Sequence, residues 1–131
     1  MFETEAEDGT PFPHKEITEA IIGDVFEVYN HRGYGFLERV YQRALQVELL
    51  RRGFRAELGK RITVHYKNAI VGEYDADLFI EDSVLVEIKV APRYDKRDEA
   101  QLLNELKATG TQVGLLANFG RGRVEYKRFI F

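Results

Sequence analysis

Apolar residues recur every three or four positions in three stretches of the chain, which is the spacing of one face of an α-helix. This pattern predicts helices over residues 17–29, 36–52 and 96–109. Gly33 and Gly35 separate the first two predicted helices, because glycine readily adopts the backbone angles that end a helix. Two helices therefore come first in the chain, and a third follows near residue 100.

The period of the apolar residues changes to two after Gly53, and such alternation is typical of β-strands. Strands are predicted over residues 62–66, 70–80, 84–90, 113–118 and 124–131. The order ααβββαββ indicates an α/β domain with a central mixed β-sheet flanked by α-helices. We expect residues 14–131 to form this single domain and residues 1–13 to form a disordered acidic leader.

Composition excludes several classes of protein. The chain of 131 residues contains no cysteine, so disulfide bonds and cysteine metal sites are excluded. No apolar run approaches the roughly 18 residues that a membrane-spanning helix needs. The acidic start lacks the basic and apolar regions of a signal peptide, which predicts a cytoplasmic protein with no membrane partner. The net charge is −3, but residues 1–13 contain four acids and no Lys or Arg, so the remainder is slightly basic.

Three charged residues interrupt the apolar pattern of the second and third predicted strands. Asp77 lies in "EYDADLFI", and Glu87 and Lys89 lie in "SVLVEIKV". A charge inside a buried strand costs free energy unless a partner compensates it. We predict that a divalent metal ion and a phosphate group provide this compensation.

The pairing of the two strands decides whether the acids meet. Asp77 lies opposite Glu87 if a three-residue loop, residues 81–83, joins the strands, and Lys89 then shares their face. A two-residue turn would instead pair Asp77 with Ile88 and place the acids on opposite faces. We predict the three-residue loop. The apolar residues predicted to share the other face are Ala76, Leu78, Ile80, Val84, Val86 and Ile88.

The chemistry follows from the residue types. Two neighbouring carboxylates repel each other, and a hard cation such as Mg²⁺ or Mn²⁺ removes that penalty because it prefers oxygen ligands. A bound metal ion polarises a phosphodiester, while Lys89 can orient the attacking water or stabilise charge on the phosphate. The competing interpretation is a structural ion-pair cluster, since Glu-x-Lys alternation is also typical of a solvated strand. Asp75, on the face of Asp77, is an alternative ligand.

Several separated motifs resemble one family of small bacterial proteins. The segment "GFLERVY" is similar to the GxxExxY signature of that family, and the resemblance continues through "ADLFIEDSVLVEIKV", "AQLLNELKATG", "VGLLANFG" and "KRFI". The family is placed in the PD-(D/E)xK nuclease-like superfamily. The resemblance therefore implies a restriction-endonuclease-like core of four mixed strands and metal-dependent cleavage of phosphodiester bonds.

The same resemblance implies a role for individual residues. Asp77 and Glu87 would bind the metal ion, Glu38 would complete the acidic site, and Lys89 would be the catalytic lysine. Gln101 matches the glutamine of the helix motif Gln-x-x-x-Tyr in nucleases that resemble the RecB type. These five residues form the candidate site.

Two further residues bear on this site. Glu105 stands where the helix motif has its tyrosine, and a carboxylate there is expected either to be solvated or to repel phosphate. Tyr41 lies one turn after Glu38 in the GxxExxY segment. We interpret Tyr41 as a core residue with a bonded hydroxyl rather than a catalytic group.

The function that the sequence favours is a metal-dependent nuclease that acts on nucleic acid, with DNA favoured over RNA. Arg93, Lys96 and Arg97 would hold backbone phosphates. Because the chain has little beyond its core, substrate selectivity would require a homodimer or a protein partner. The alternative function is a non-catalytic nuclease-fold module that binds nucleic acid or a protein.

Overall fold

The computed structural model describes residues 13–131, so the predicted acidic leader lies outside the described residues except for its last position. The helices are α1 (Lys15–Arg32), α2 (Glu38–Arg51) and α3 (Lys96–Thr109). The bounds of α3 agree with the sequence because its ends carry strong local signals. Asp95 and Asp98 form a capping box, and Gly110 ends the helix with a φ of 71°. In this part of the chain, no helix is long and apolar enough to cross a membrane.

Five strands form one sheet in the middle of the molecule. They are β1 (Ala56–Tyr66), β2 (Ala69–Ile80), β3 (Val84–Lys89), β4 (Val113–Phe119) and β5 (Val124–Ile130). The strand order is β1-β2-β3-β4-β5, with β3 and β4 parallel and the other neighbours antiparallel. The predicted α/β architecture with a mixed sheet is confirmed. The sheet has five strands, as the predicted order ααβββαββ requires, and this is consistent with a restriction-endonuclease-like core.

The strand β1 begins well before its predicted start. It starts at Ala56, whereas the prediction began at Ile62. Residues 54–58 alternate between apolar and polar side chains, but Gly59 interrupts the alternation. The early part is paired with β2, where Ala56 lies opposite Ile80, and this pairing carries the strand across the interruption.

The turn between β2 and β3 has the predicted length and register. Leu78 pairs with Val86 and Ile80 with Val84, so three residues, 81–83, connect the strands. Glu81 has a positive φ of 52°, and the next residue has one of 51°. In this register Asp77 and Glu87 occupy corresponding positions on neighbouring strands. They lie just beyond Leu78 and Val86, which form the last pair of the β2–β3 ladder.

The sheet separates two hydrophobic clusters. One cluster lies between the sheet and the helices α1 and α2, and it includes Leu78 and Val86. The other lies between the sheet and α3, and it includes Phe79 and Leu85. Every residue of β4 is buried, as expected for a strand covered on both faces. Glu87 belongs to the face of the sheet that α3 covers.

The prediction that Ala76 shares a face with Leu78 was wrong. Ala76 packs in the cluster under α3, whereas Leu78 packs under α1 and α2. The register pairs Leu58 with Leu78 and Lys60 with Ala76, but it pairs no residue with Asp77. Gly59, with a positive φ of 63°, lies in β1 at this point. The change of face therefore falls between Leu78 and Ala76, where neither Asp77 nor Gly59 has a partner in the β1–β2 ladder.

Candidate active site

Asp77 lies at the place where β2 and β3 separate, and two hydrogen bonds fix it there. Its Oδ2 atom accepts a hydrogen bond of 2.7 Å from the backbone N–H of Ile88. Its carbonyl oxygen accepts one of 2.8 Å from Nε2 of Gln42 on α2. Burial raises the pKa of Asp77, although the bond from Ile88 opposes that rise. One carboxylate oxygen of Asp77 is thus held in place by a backbone N–H group.

Glu87, on β3, is the most strongly perturbed group of the site. Its side chain is only 3% exposed, and its Oε1 atom has no hydrogen-bond partner within residues 13–131. Burial raises the pKa of Glu87 from 4.5 to about 11, and the carboxyl groups of Glu105 and Asp77 contribute to the rise. Three carboxyl groups therefore lie close together inside the protein, and Asp77 and Glu105 both disfavour ionisation of Glu87.

Glu105 is a member of this cluster that sequence reasoning missed. The sequence predicted a solvated or phosphate-repelling carboxylate, but Glu105 is fully buried on α3. Its Oε2 atom accepts a hydrogen bond of 3.1 Å from Nε2 of Gln101, while its Oε1 atom has no partner in the described part of the chain. Helical spacing could have revealed this position, because Glu105 lies beside the core residues Leu102 and Leu106.

Lys89 lies two residues after Glu87, near the start of α3. Its Nζ atom is 3.8 Å from Oδ1 of Asp98, and the lysine side chain is 24% exposed. Asp98 is itself fixed by the capping box, since its Oδ2 atom accepts a hydrogen bond of 3.1 Å from the backbone N–H of Asp95. The ammonium group is therefore held at the rim of the acidic cluster, where solvent and a ligand can both reach it.

Glu38 lies in the first turn of α2 and faces the same rim. The residue is exposed, but partial burial of its carboxyl group raises the pKa of Glu38. The negative charge of Asp77 raises that pKa further, and the positive charge of Lys89 lowers it. Glu38 is therefore close enough to Asp77 and Lys89 for their charges to act on it.

Tyr41 has the structural role that the sequence indicated. Its side chain is fully buried, and its ring stacks on Phe119 with the ring centres 4.3 Å apart. The hydroxyl donates a hydrogen bond to the carbonyl oxygen of Gly33 and accepts one of 3.3 Å from the backbone N–H of Phe36. Tyr41 thereby fixes the loop that leads to Glu38.

Asp75 lies apart from the cluster. Its Oδ1 atom is 2.7 Å from Nε of Arg61, and both side chains are largely exposed. This contact is an ordinary surface ion pair on the β1–β2 hairpin. The structure therefore does not bring Asp75 together with Asp77 and Glu87.

The three basic residues predicted to contact phosphate lie around the start of α3. Arg93 and Lys96 are exposed there. Arg97 is exposed as well, but Nη2 of its guanidinium group is 3.0 Å from Oδ2 of Asp95. Arg93 and Lys96 are thus the better placed of the three for contact with a phosphate group.

The acidic cluster suits a hard divalent cation by its chemistry. Within residues 13–131, no three His, Asp or Glu side chains converge as a preformed metal-ligand group. However, Glu87 and Glu105 each have a buried oxygen without a partner, and such atoms are costly unless something binds them. Carboxylate oxygens are the ligands that Mg²⁺ and Mn²⁺ prefer. These two oxygens make the cluster a candidate site for such an ion, with Asp77 beside them as a third carboxyl group.

The fold and this site define the class of protein. The family model of the PD-(D/E)XK nuclease superfamily matches residues 15–129, and the chain belongs to that superfamily. PD-(D/E)XK nucleases generally use divalent metal ions.

One solved structure shows the same fold. The chain is similar to the protein in the crystal structure of SSO0001, with a TM-score of 0.56 and 20% sequence identity. The similarity covers 88% of this chain and 57% of that chain, so this chain spans little more than half the length of SSO0001. A search of curated proteins found no match.

Proposed function

We propose that the protein is a divalent-metal-dependent nuclease that hydrolyses phosphodiester bonds in nucleic acid, with DNA as the favoured substrate. The observation that carries this proposal is the buried carboxyl group of Glu87, which has an unpartnered oxygen and lies beside Asp77 and Glu105. A cluster of this kind destabilises the protein unless a cation binds it. The motif around Glu38 and Tyr41 further supports membership of the GxxExxY group within the superfamily.

In this proposal Asp77 and Glu87 hold Mg²⁺ or Mn²⁺, and Glu38 supports the metal ion from the rim. The bound ion would supply Lewis acidity toward the phosphodiester and a more acidic water. Lys89 donates hydrogen bonds at the rim, where it orients the attacking water or stabilises negative charge on the phosphate. Gln101 positions the carboxylate of Glu105 through the hydrogen bond that it donates to Oε2.

The approach of the substrate would use the basic residues at the start of α3. Arg93 and Lys96 would contact backbone phosphates, because phosphate contacts supply most of the sequence-independent binding of nucleic acid. Arg97 would contribute only after its guanidinium group leaves Asp95. A homodimer or a protein partner would add the selectivity that this small domain lacks.

Cleavage of labelled single- and double-stranded DNA and RNA with Mg²⁺ or Mn²⁺ tests the proposal. We expect Glu87→Gln and Lys89→Ala each to lower the cleavage rate by at least about 100-fold. Glu57→Gln and Lys107→Ala, at exposed positions away from the cluster, serve as matched controls and should cleave at the wild-type rate. Equal activity in all five proteins would refute the proposal, since it would indicate a contaminating nuclease.

A non-catalytic module that binds nucleic acid or a protein is the second candidate. This function is favoured by the hydrogen bond that the backbone N–H of Ile88 donates to Oδ2 of Asp77, because that oxygen of the proposed metal ligand is already occupied. It is also favoured by the lack of a converged ligand group in residues 13–131. Tight binding of nucleic acid without cleavage of any substrate would support this function over the nuclease.

A further inference from the structure

An open cleft lies between α2 and β1 and borders the acidic cluster. We call it the α2–β1 cleft. The residues that line it are Glu38, Arg39, Gln42, Arg43, Leu58 and Gly59. It lies on the α2 side of the molecule, whereas Arg93 and Lys96 lie at the start of α3. The two regions would therefore contact different parts of a bound ligand.

The α2–β1 cleft leads directly to Asp77. Gln42, which lines the cleft, donates a hydrogen bond of 2.8 Å to the carbonyl oxygen of Asp77. Glu38, which also lines the cleft, experiences the charges of Asp77 and Lys89. A ligand lying in the cleft would therefore reach the acidic cluster without crossing another element.

Two arginines on α2 give the cleft its charge. Arg39 and Arg43 are one helical turn apart, so their side chains lie on the same side of the helix. Both are exposed, and neither has an ion-pair partner within residues 13–131. Several other arginines are paired with acids. Examples are Arg52 with Asp24 at 2.8 Å, Arg61 with Asp75 at 2.7 Å and Arg97 with Asp95 at 3.0 Å.

The opposite wall of the cleft leaves room for a polymer. Gly59 carries no side chain, and a Cβ atom added there would meet no heavy atom within 4 Å. Leu58 contributes apolar surface beside it. The cleft therefore combines two uncompensated guanidinium groups with an open wall, and guanidinium groups match the geometry of phosphate oxygens.

We propose that the sugar-phosphate backbone of a nucleic-acid strand lies in the α2–β1 cleft, with phosphates on Arg39 and Arg43. The strand then presents a phosphodiester to Asp77, Glu87 and Lys89. This inference rests on the proposed function, which it extends by naming the path of the substrate. It adds phosphate contacts on α2 to those proposed at the start of α3.

Fluorescence anisotropy of a labelled DNA oligonucleotide and of an RNA of the same sequence tests the path. Binding is measured over a series of salt concentrations in the presence of a chelator, so that cleavage does not interfere. We expect the double variant with Arg39→Ala and Arg43→Ala to weaken binding by about tenfold or more. The slope of log affinity against log salt should fall by about 1.4 for these single strands, since each phosphate contact contributes about 0.7.

Two further variants control for non-specific effects of charge. Arg51→Ala with Lys107→Ala removes the same charge at exposed positions away from the cleft and should leave most of the binding and the salt slope unchanged. Arg39→Lys with Arg43→Lys keeps the charge but loses the bidentate geometry, and it should restore the salt slope while recovering only part of the affinity.

The outcomes separate this inference from the proposed function. If the wild type binds and cleaves nucleic acid but the Arg39 and Arg43 variant binds equally well, the path is refuted and the nuclease stands. If that variant loses binding and the wild type never cleaves, the path stands and the catalytic proposal fails. If the wild type binds neither DNA nor RNA, both are refuted.

Discussion

At Glu87 a carboxyl group is held where water hardly reaches it, and its neighbours are two more carboxyl groups. Such a residue lowers the stability of the protein when no cation is bound. Asp77 differs, because a backbone N–H stabilises one of its oxygens. The two acids thus have different environments, and Glu87 is the one whose charge state depends most on a ligand.

The first prediction concerns the pH dependence of stability in the presence of a chelator. Burial and neighbouring carboxyl groups raise the pKa of Glu87 from 4.5 to about 11. Between these values the folded state binds more protons than the unfolded state, so stability is highest at the acidic end and falls as pH rises. We expect Tm to increase when pH is lowered from about 8 to about 5.

The matched variants identify the group responsible. Glu87→Gln should be more stable than the wild type at pH 8 and should show a weaker pH dependence, because it cannot ionise. The dependence should not vanish, since the pKa values of Asp77, Glu38 and Asp24 are also raised. Glu57→Gln should behave like the wild type. A Glu87→Gln protein with an unchanged pH profile would contradict this explanation.

At the scale of elements, α3 shows how local signals specify a helix. Its bounds could be predicted because Asp95, Asp98 and Gly110 mark both ends. The early part of β1 was missed because Gly59 and Lys60 interrupt the apolar alternation of residues 54–58, and only pairing with β2 carries the strand across that interruption. The change of face next to Asp77 was missed as well, since the apolar alternation of β2 continues there without a break.

The second prediction concerns the N-terminal cap of α3. The side chain of Asp95 accepts a hydrogen bond of 2.9 Å from the backbone N–H of Arg97. Asp95→Ala should therefore lower the free energy of unfolding by about 1 kcal/mol, measured by urea denaturation. Lys107→Ala, in the exposed part of the same helix, should change it by less than about 0.5 kcal/mol. Equal values for the two variants would show that the cap does not stabilise α3.

At the scale of the whole molecule, the candidate site forms where three layers meet. β2 and β3 supply Asp77 and Glu87, α2 supplies Glu38 from one side, and α3 supplies Gln101 and Glu105 from the other. The first two acids could be placed from the sequence, because strand register follows from the length of one turn. The burial of Glu105 was missed, although its spacing from Leu102 and Leu106 in α3 could have indicated it.

This arrangement also explains why stability and metal binding should be coupled. A cation that binds the folded protein but not the unfolded chain stabilises it by about 2.7 kcal/mol at 100 times the dissociation constant. Relief of repulsion among the buried carboxyl groups is part of this binding free energy, so it lowers the dissociation constant. A protein whose acids formed only surface ion pairs would show no such gain.

Isothermal titration of the protein with Mn²⁺ at pH 7 tests the central claim, that the cluster around Glu87 is a divalent-metal site. We expect the wild type to bind Mn²⁺ saturably and Glu87→Gln to bind it at least about tenfold more weakly. Glu57→Gln should bind Mn²⁺ as tightly as the wild type does. We also expect protons to be released when Mn²⁺ binds, because the carboxyl group of Glu87 must ionise. No saturable binding, or equal binding by the wild type and Glu87→Gln, would contradict the claim.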